Sequence, residues 1–423
     1  MTLSRKSVIA WALYDWADSA FATTVMAGFF PVFFKEYWSD PGAMNESTFY
    51  LGLANSAASV IVAALSPVLG AIADRGSARK KFLILFTFLG AVMTGGLWML
   101  AQGEWRMAVL FYVCASVGFA GGNIFYDSLI TGVADETRVD YVSALGYALG
   151  YIGGGLLFLV NVLMYLYPGF FGIGSRAMAV RISFLSVAVW WAVFSLPLFF
   201  FVKEPAADEK SGARRAVVQG IAQLADTLRD IRHMKVAGIF LAAYWLYIDG
   251  VDTIIRMAVD YGKSIGFDSA SLITALLMVQ FIAFPAALLY GLFARRIGAV
   301  RAVQIAIAGY SLITLLAFFM RERWHFFALA AMIGLFQGGI QALSRSLYTR
   351  LIPRGKSAQF FGFYNMVGKF AAVIGPALMG TVTLVTGNAR YGILSVLALF
   401  VAGGVILSRV DFTEGRRIAD RYL

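Results

Sequence analysis

The stretch GAIADRGSARKK, residues 70–81, packs five charges into twelve positions between two long apolar runs. It comes back once, as GLFARRIGAVRA at residues 291–302. Gly70 matches Gly291, Asp74–Arg75 matches Arg295–Arg296, and Lys80 matches Arg301. Other segments repeat at comparable separations. YDWADSAF (14–21) resembles YIDGVDTI (247–254), each with two aspartates three residues apart, Asp15 with Asp18 and Asp249 with Asp252. GNIFYDSL (122–129) aligns with IQALSRSL (340–347), which sets Asn123 opposite Gln341 and Asp127 opposite Arg345. A chain written twice in this way is expected to fold as two related halves.

What lies between the charged loops sets the class. The 423 residues are 60% hydrophobic and 14% charged, with a mean hydropathy of +0.75. A soluble domain of this size has too little interior for so much apolar surface. Apolar runs of about 20 residues, the length that crosses roughly 30 Å of hydrocarbon as a helix, recur along the chain. Twelve spans are read: 8–34, 49–72, 82–102, 107–131, 142–167, 179–202, 236–258, 269–294, 300–320, 325–349, 358–386 and 389–409. The first is longer than a signal-peptide core and lacks a small-residue cleavage site, so it is expected to act as its own insertion signal.

Charge gives the orientation. Of 35 Lys+Arg, three fall well inside spans (Arg256, Arg345, Lys369) and eight on one face, span ends counted with the nearer loop (Lys35, Arg106, Arg176, Arg181, Lys263, Arg321, Arg323, Arg390). The other 24 lie on the face that carries both ends of the chain, a threefold bias that predicts cytoplasmic termini. The net charge of +11 is therefore read as membrane topology rather than nucleic-acid binding. The longest charged connection divides the chain into a first half (1–202), a linker (203–235) and a second half (236–423). In the linker Val217, Ile221, Leu224, Leu228 and Ile231 recur at steps of four and three, the stripe of a short amphipathic helix on the inner membrane surface or on the bundle's cytoplasmic end. The single cysteine, Cys114, excludes an intramolecular disulfide.

The 70–81 segment resembles the loop signature of the major facilitator superfamily: a glycine, an acid and an arginine, then a basic cluster. WALYDWADSAFATTV (11–25), SALGYALGYIGGG (143–155), YWLYIDGVDTIIRMA (244–258) and GLFQGGIQALSRSLYTRLIP (334–353) resemble the vacuole-effluxer group, named for an autophagy-related fungal transporter and widespread in bacteria. The resemblance implies an all-α membrane protein, twelve transmembrane helices in two pseudo-symmetric six-helix halves. It also implies solute transport, with amino-acid export suggested by the fungal member alone. In the superfamily the charged loop latches one half against the other on the cytoplasmic side, a role carried here to Asp74, Arg75 and Arg79, with Lys80 beside them. Arg295 takes the place of the acid in the second copy, so the same latch is not expected there.

Charges inside spans are the candidate machinery, because each costs about 2.5–3.5 kcal/mol at the centre of a membrane helix unless it faces protein or water. Asp15 lies about 10 Å along its span at 1.5 Å per residue, in the inner half of the membrane, with Asp18 on the same face. The pair reads as a proton site or as a latch held by basic or amide partners. Asp127 and Arg345 sit near the inner ends of equivalent spans and read as a gate, or as two charges each paired within its own half. Asp249, Asp252 and Arg256 share one face; Asp252 and Arg256 can pair along the helix, leaving Asp249 for coupling or for a substrate amine. Lys369, with Asn365 one turn before it, reads as an anchor for a substrate carboxylate or phosphate, or as the partner of an aspartate such as Asp249. Gly146, Gly150 and Gly154 are read as a helix-packing stripe. Trp11, Tyr14, Trp16, Tyr126, Tyr244 and Tyr247 could line a cavity or pack.

No phosphate loop, metal-ligand cluster or catalytic constellation is found, so no enzyme, cofactor or primary pump is expected. The expectation is a secondary transporter of a small polar or zwitterionic solute, proton-coupled, working as a monomer by alternating access in a bacterial inner membrane. A lipid or lysolipid translocator of the same fold is the alternative, and a non-transporting sensor or scaffold the alternative of another class.

Overall fold

The computed structural model describes residues 4–39, 44–76, 78–204, 234–264 and 269–421. The expected linker helix, and the side chains of Arg75, Arg256 and Lys369, lie outside the described residues. All regular structure among the described residues is helical. Before the linker come α1 (Arg5–Trp38), α2 (Met44–Gly76), α3 (Arg79–Met99), α4 (Trp105–Val133), α5 (Val139–Leu166) and α6 (Arg176–Phe201). After it come α7 (Lys235–Ser264), α8 (Ser269–Ile297), α9 (Ala299–Phe318), α10 (Arg323–Thr349), α11 (Ser357–Thr386), α12 (Ala389–Leu407) and a short α13 (Phe412–Arg421). Eleven of these are long and apolar enough to cross a membrane. The remaining long helix, α11, has 30 residues, and among its described residues the apolar run is Ile374–Thr386.

The helices form because apolar residues run at helical spacing, and their outward faces stay apolar. Leu85, Phe88 and Val92 on α3, Val189, Val193, Leu196 and Phe200 on α6, and Val401 and Val405 on α12 are all exposed. Stripes of that kind are tolerable only where hydrocarbon replaces water. The π-helical stretches Phe21–Phe29 and Phe34–Trp38 flank Pro31 in α1, where a missing N–H interrupts the ordinary ladder.

The halves meet along two matched crossings, α2 on α11 and α5 on α8. The repeated glycines Gly70 and Gly291 stand at them. A Cβ on Gly70 would lie 2.4 Å from the Ala358 carbonyl oxygen, and one on Gly291 would lie 2.6 Å from the Ala144 Cβ. The sequence repeat thus becomes a repeat of close approach. Gly298, at φ +89, makes the turn from α8 into α9, a backbone region that favours glycine.

Within the first half, α1 lies directly on α5. Cβ atoms on Gly146, Gly150 and Gly154 would come within 2.5 Å of the Asp15 carboxylate, 2.6 Å of Ser19 Oγ and 2.9 Å of the Ser19 carbonyl. The packing role expected of this stripe also brings Asp15 to the seam between halves. Overpacking such a contact costs about 1–3 kcal/mol or more. Gly150→Leu should lower the melting temperature by several degrees and reduce the yield of monodisperse protein. Gly238→Ala, with no heavy atom within 4 Å of the added Cβ, should match the parent in both size-exclusion profile and melting temperature.

Candidate functional site

Arg345 projects from α10 of the second half into a socket built by the first. Its residue is 1% exposed. Nη1 donates to Asp127 Oδ1 at 3.0 Å, and Nη2 to the Ser143 carbonyl at 3.0 Å and Asp15 Oδ2 at 3.4 Å. Nε donates to Ser143 Oγ at 2.9 Å. The guanidinium carbon lies 4.3 Å from the Tyr147 ring centre, 4.9 Å from Trp11 and 5.4 Å from Tyr126. Acids and ring faces together are what a desolvated guanidinium needs: charge-assisted hydrogen bonds on its edge and π-density on its faces.

The socket is itself fixed in place. Trp11 stacks on Tyr126 at 4.4 Å and donates Nε1–H to the Tyr126 carbonyl at 3.0 Å. Tyr126 Oη donates to Asp15 Oδ2 at 2.7 Å. Asn365 of α11 donates to Asp127 Oδ2 at 3.2 Å and to the Phe361 carbonyl at 3.0 Å. Asp127 therefore holds α10 and α11 of the opposite half at once.

A second tie lies nearer the end of the bundle where α1 starts. Helix α11 has no capping side chain of its own, so its first N–H groups need acceptors. Asp74 of α2 supplies them, Oδ1 accepting from Ala358 N at 3.0 Å and Oδ2 from Gln359 N at 2.8 Å. Arg79 braces this carboxylate, Nε donating to Oδ1 at 2.7 Å, and its Nη2 reaches the Gly355 carbonyl at 3.4 Å. Glu204 in turn accepts from Arg79 N at 2.8 Å and Lys80 N at 3.2 Å, capping α3. In the second copy Arg295 stands where Asp74 does in the first, and it lies over the Tyr141 ring of α5 at 5.1 Å. There the crossing is joined by Asp140, which accepts from Ser346 Oγ at 2.7 Å and pairs with Arg350 at 2.7 Å. Arg416 of α13 pairs with Glu136 at 2.5 Å.

The other sequence candidates separate. Asp18 is 2% exposed, and its Oδ2 has no hydrogen-bond partner among the described residues. It lies within the electrostatic reach of Asp15, Asp127 and Arg345. Asp249 is fully buried, but its carboxylate accepts from the Gly375 backbone N–H and from Thr253 Oγ1. Asp252 and Asn123 are half-buried on α7 and α4. Gln341 Oε1 accepts from Tyr151 Oη at 2.6 Å, another tie between halves. Tyr244 stacks on Tyr364 at 4.3 Å and Tyr247 bonds Ser344 at 2.7 Å, whereas Trp16 stacks on Trp190. Ser143 and Tyr147 were missed as site residues. Their only signal was membership of the glycine-rich 143–155 segment, since a serine or tyrosine in a span carries no cost that demands an explanation.

Two helical halves joined at matched crossings, with charges exchanged across the seam, define a transporter of the major facilitator superfamily. The human organic anion transporter MFSD10 (TETRAN) shares the fold, with a TM-score of 0.71 at 14% identity over 95% of this chain and 99% of that one. The chain belongs to the vacuole effluxer Atg22-like family, whose profile matches residues 43–139 and 133–420. An uncharacterized MFS-type transporter of Bacillus subtilis (strain 168), YxiO, is 37% identical over 403 residues, covering 95% of this chain and 94% of that one. Autophagy-related protein 22 of Yarrowia lipolytica (strain CLIB 122 / E 150) is 24% identical over 434 residues, covering 82% and 73%.

Removing one partner from a buried ionic cluster leaves the others desolvated, at a cost of about 3–5 kcal/mol. Arg345→Ala should therefore lower the melting temperature of the purified protein well beyond Asp127→Asn. Adding Asp15→Asn and Asp127→Asn to Arg345→Ala should recover part of the loss. A triple variant no more stable than Arg345→Ala would remove electrostatics as the reason for the cluster.

Proposed function

We propose that the chain is a secondary transporter of a small polar or zwitterionic, amino-acid-like solute, proton-coupled and working as an exporter. In this reading residues 1–202 and 236–423 rock about the seam as a monomer, joined by the 203–235 linker. Both termini are cytoplasmic in a bacterial inner membrane, and the structure corresponds to the state closed on the cytoplasmic side. The observation that carries the reading is the insertion of Arg345 from one half among Asp15, Asp127 and Ser143 of the other. A fixed scaffold has no need of a buried ion cluster across a separable seam, while a gate does. Asp74, Arg79, Asp127 and Arg345 act as the gate, and Asn365 and Gln341 as polar ties that part with it.

The two acids of the first span then divide their labour. Asp15 belongs to the gate through Arg345 and Tyr126. Asp18, buried with an oxygen that meets no hydrogen-bond donor among the described residues, is the better candidate to take up a proton or a substrate amine. Proton uptake there would change the field on Arg345 and so bias the gate.

A second reading, a lipid or lysolipid translocator, draws on a different observation. A cleft lies wholly within the second half, lined by Ile254, Val279, Ile313, Leu329 and Ile333 among other apolar side chains. Its apolar lining would suit an acyl chain, and Gln337 Oε1 at its wall has no hydrogen-bond partner among the described residues.

A thermal-shift screen of purified protein against amino acids, peptides, sugars, polyamines and lysolipids, at two pH values, separates these readings. A ligand that binds the native state raises its stability with concentration. Zwitterionic solutes are expected to stabilise in a pH-dependent way, with the pH dependence lost in Asp18→Asn. Stabilisation by lysolipids alone would favour the second reading. In proteoliposomes, Asp127→Arg with Arg345→Asp is expected to recover transport lost in either single variant; no recovery would count against the gate.

A further inference from the structure

We propose that the socket occupied by Arg345 is a binding site for a guanidinium-bearing organic cation, open to the cytoplasm when the halves part and refilled by the protein's own arginine when they close. The inference rests on the alternating-access reading above and adds the chemical class of cargo that the first half recognises. What a site is built to hold can be read from what fills it.

The walls of the socket belong to the first half. Trp11 and Asp15 come from α1, Tyr126 and Asp127 from α4, and Ser143 and Tyr147 from α5. These walls hold one another. Tyr126 stacks with Trp11 at 4.4 Å and with Tyr14 at 4.9 Å, and Tyr14 Oη bonds Thr87 Oγ1 at 2.9 Å. Tyr126 Oη fixes the Asp15 carboxylate, and Trp11 Nε1 holds the Tyr126 carbonyl. None of these contacts involves the second half, so the rings and acids stay assembled when Arg345 withdraws. A preformed site loses little freedom on binding. The second half also places Asn365 on Asp127 at 3.2 Å and the Ala342 carbonyl on Ser143 Oγ at 2.7 Å. Their departure with Arg345 frees a carboxylate oxygen and a hydroxyl for a newcomer.

The acceptors suit a planar fork better than a point charge. Ser143 Oγ meets Nε, Asp127 Oδ1 meets Nη1, and Asp15 Oδ2 and the Ser143 carbonyl meet Nη2, so three nitrogens are served from three helices. A guanidinium carries such donors in one rigid plane, whereas an ammonium gathers its donors at a single atom. The ring centres of Tyr147, Trp11 and Tyr126, at 4.3, 4.9 and 5.4 Å from the guanidinium carbon, add a lining that attracts cations. Charge points the same way. Asp15, Asp127 and Asp18 lie within electrostatic reach of one another, and Arg345 is the cation among them. Its withdrawal leaves these acids uncompensated, a costly condition that an incoming cation relieves.

Cargo and Arg345 therefore compete for one place. A cation in the socket keeps Arg345 out and shifts the population toward the state open to the cytoplasm. An empty socket takes Arg345 back, and the seam closes. A carrier of this kind collects its cargo from the cytoplasm, as an exporter must.

Labelling in inside-out membrane vesicles tests this on the intact gate. Ser128 is fully buried at the seam, its carbonyl accepting from Ser357 Oγ at 3.2 Å. Ser128→Cys in a Cys114→Ser background therefore reports opening to a membrane-impermeant maleimide. Millimolar butylguanidinium or L-arginine should speed labelling several-fold, because each holds Arg345 out. Butylamine, with the charge but no fork, should act far more weakly, and butylurea, uncharged, should have no effect. Purified Arg345→Ala gives a second readout. Butylguanidinium should raise its melting temperature by several degrees, and adding Asp15→Asn and Asp127→Asn should abolish that shift. Failure of butylguanidinium and L-arginine to speed labelling would overturn the inference, even if Arg345→Ala does not fold. Equal acceleration by butylamine would overturn the guanidinium class. The transport reading is judged apart, by whether any solute of the wider screen exchanges across proteoliposomes.

Discussion

A guanidinium buried among aromatic rings has no water to fall back on, so its position is dictated by where acceptors can be assembled. Among the described residues Arg345 finds them in the opposite half, on α1, α4 and α5 at once. Much else in the first half serves that assembly. The glycines of α5 let α1 come close enough to deliver Asp15, Trp11 stacks on Tyr126 to form an aromatic wall, and Tyr126 fixes the carboxylate it faces. The same low-dielectric setting that strengthens these contacts makes each of them costly to leave unmade. An arrangement of that kind has two stable conditions, engaged or fully rehydrated. That is the physical property a gate requires.

The pseudo-symmetry of the halves matters as much where it fails as where it holds. Gly70 and Gly291 give equivalent close crossings, α2 on α11 and α8 on α5. At the first crossing an acid receives helix N–H groups from the other half; at the second an arginine lies over a tyrosine ring and the ionic link passes to Asp140 and Arg350. The equivalent aspartate pairs diverge in the same way. Asp15 is spent on an arginine of the opposite half, while its counterpart Asp249 serves a backbone N–H of its own half. One repeated pattern thus supports a contact between halves in one copy and a contact within its own half in the other.

Family membership and the engaged seam make the division of α1 more informative than its composition. Two carboxylates one turn apart looked interchangeable along the chain. In space Asp15 meets two donors, Tyr126 and Arg345, whereas one Asp18 oxygen meets no hydrogen-bond donor among the described residues. Side chains separated by a single helical turn point into different neighbourhoods once helices pack, and only the packing says which neighbourhood holds a cation.

The sequence by itself determined the membrane class, the two-half repeat, the helix order and the presence of unusual charges at Asp15, Asp127, Asp249 and Arg345. These follow from local quantities: hydropathy over a helix length, the spacing of charges, and the cost of an ion in hydrocarbon, none of which needs a partner to be known. Tertiary structure alone decided what each charge meets. It joined Arg345 to Asp15, Asp127 and Ser143, set Asp74 at the start of α11, brought Asp249 to the Gly375 N–H, and left one Asp18 oxygen without a hydrogen-bond partner among the described residues. Ser143 and Tyr147 could not be singled out beforehand, because a residue that costs nothing in a span becomes part of the site only when a distant helix brings an arginine to it. The span of α11 was visible as an apolar run with a proline in it; that the Gly375 N–H meets an acid on α7 depends on two helices touching through a glycine, a fact of packing that no single segment contains.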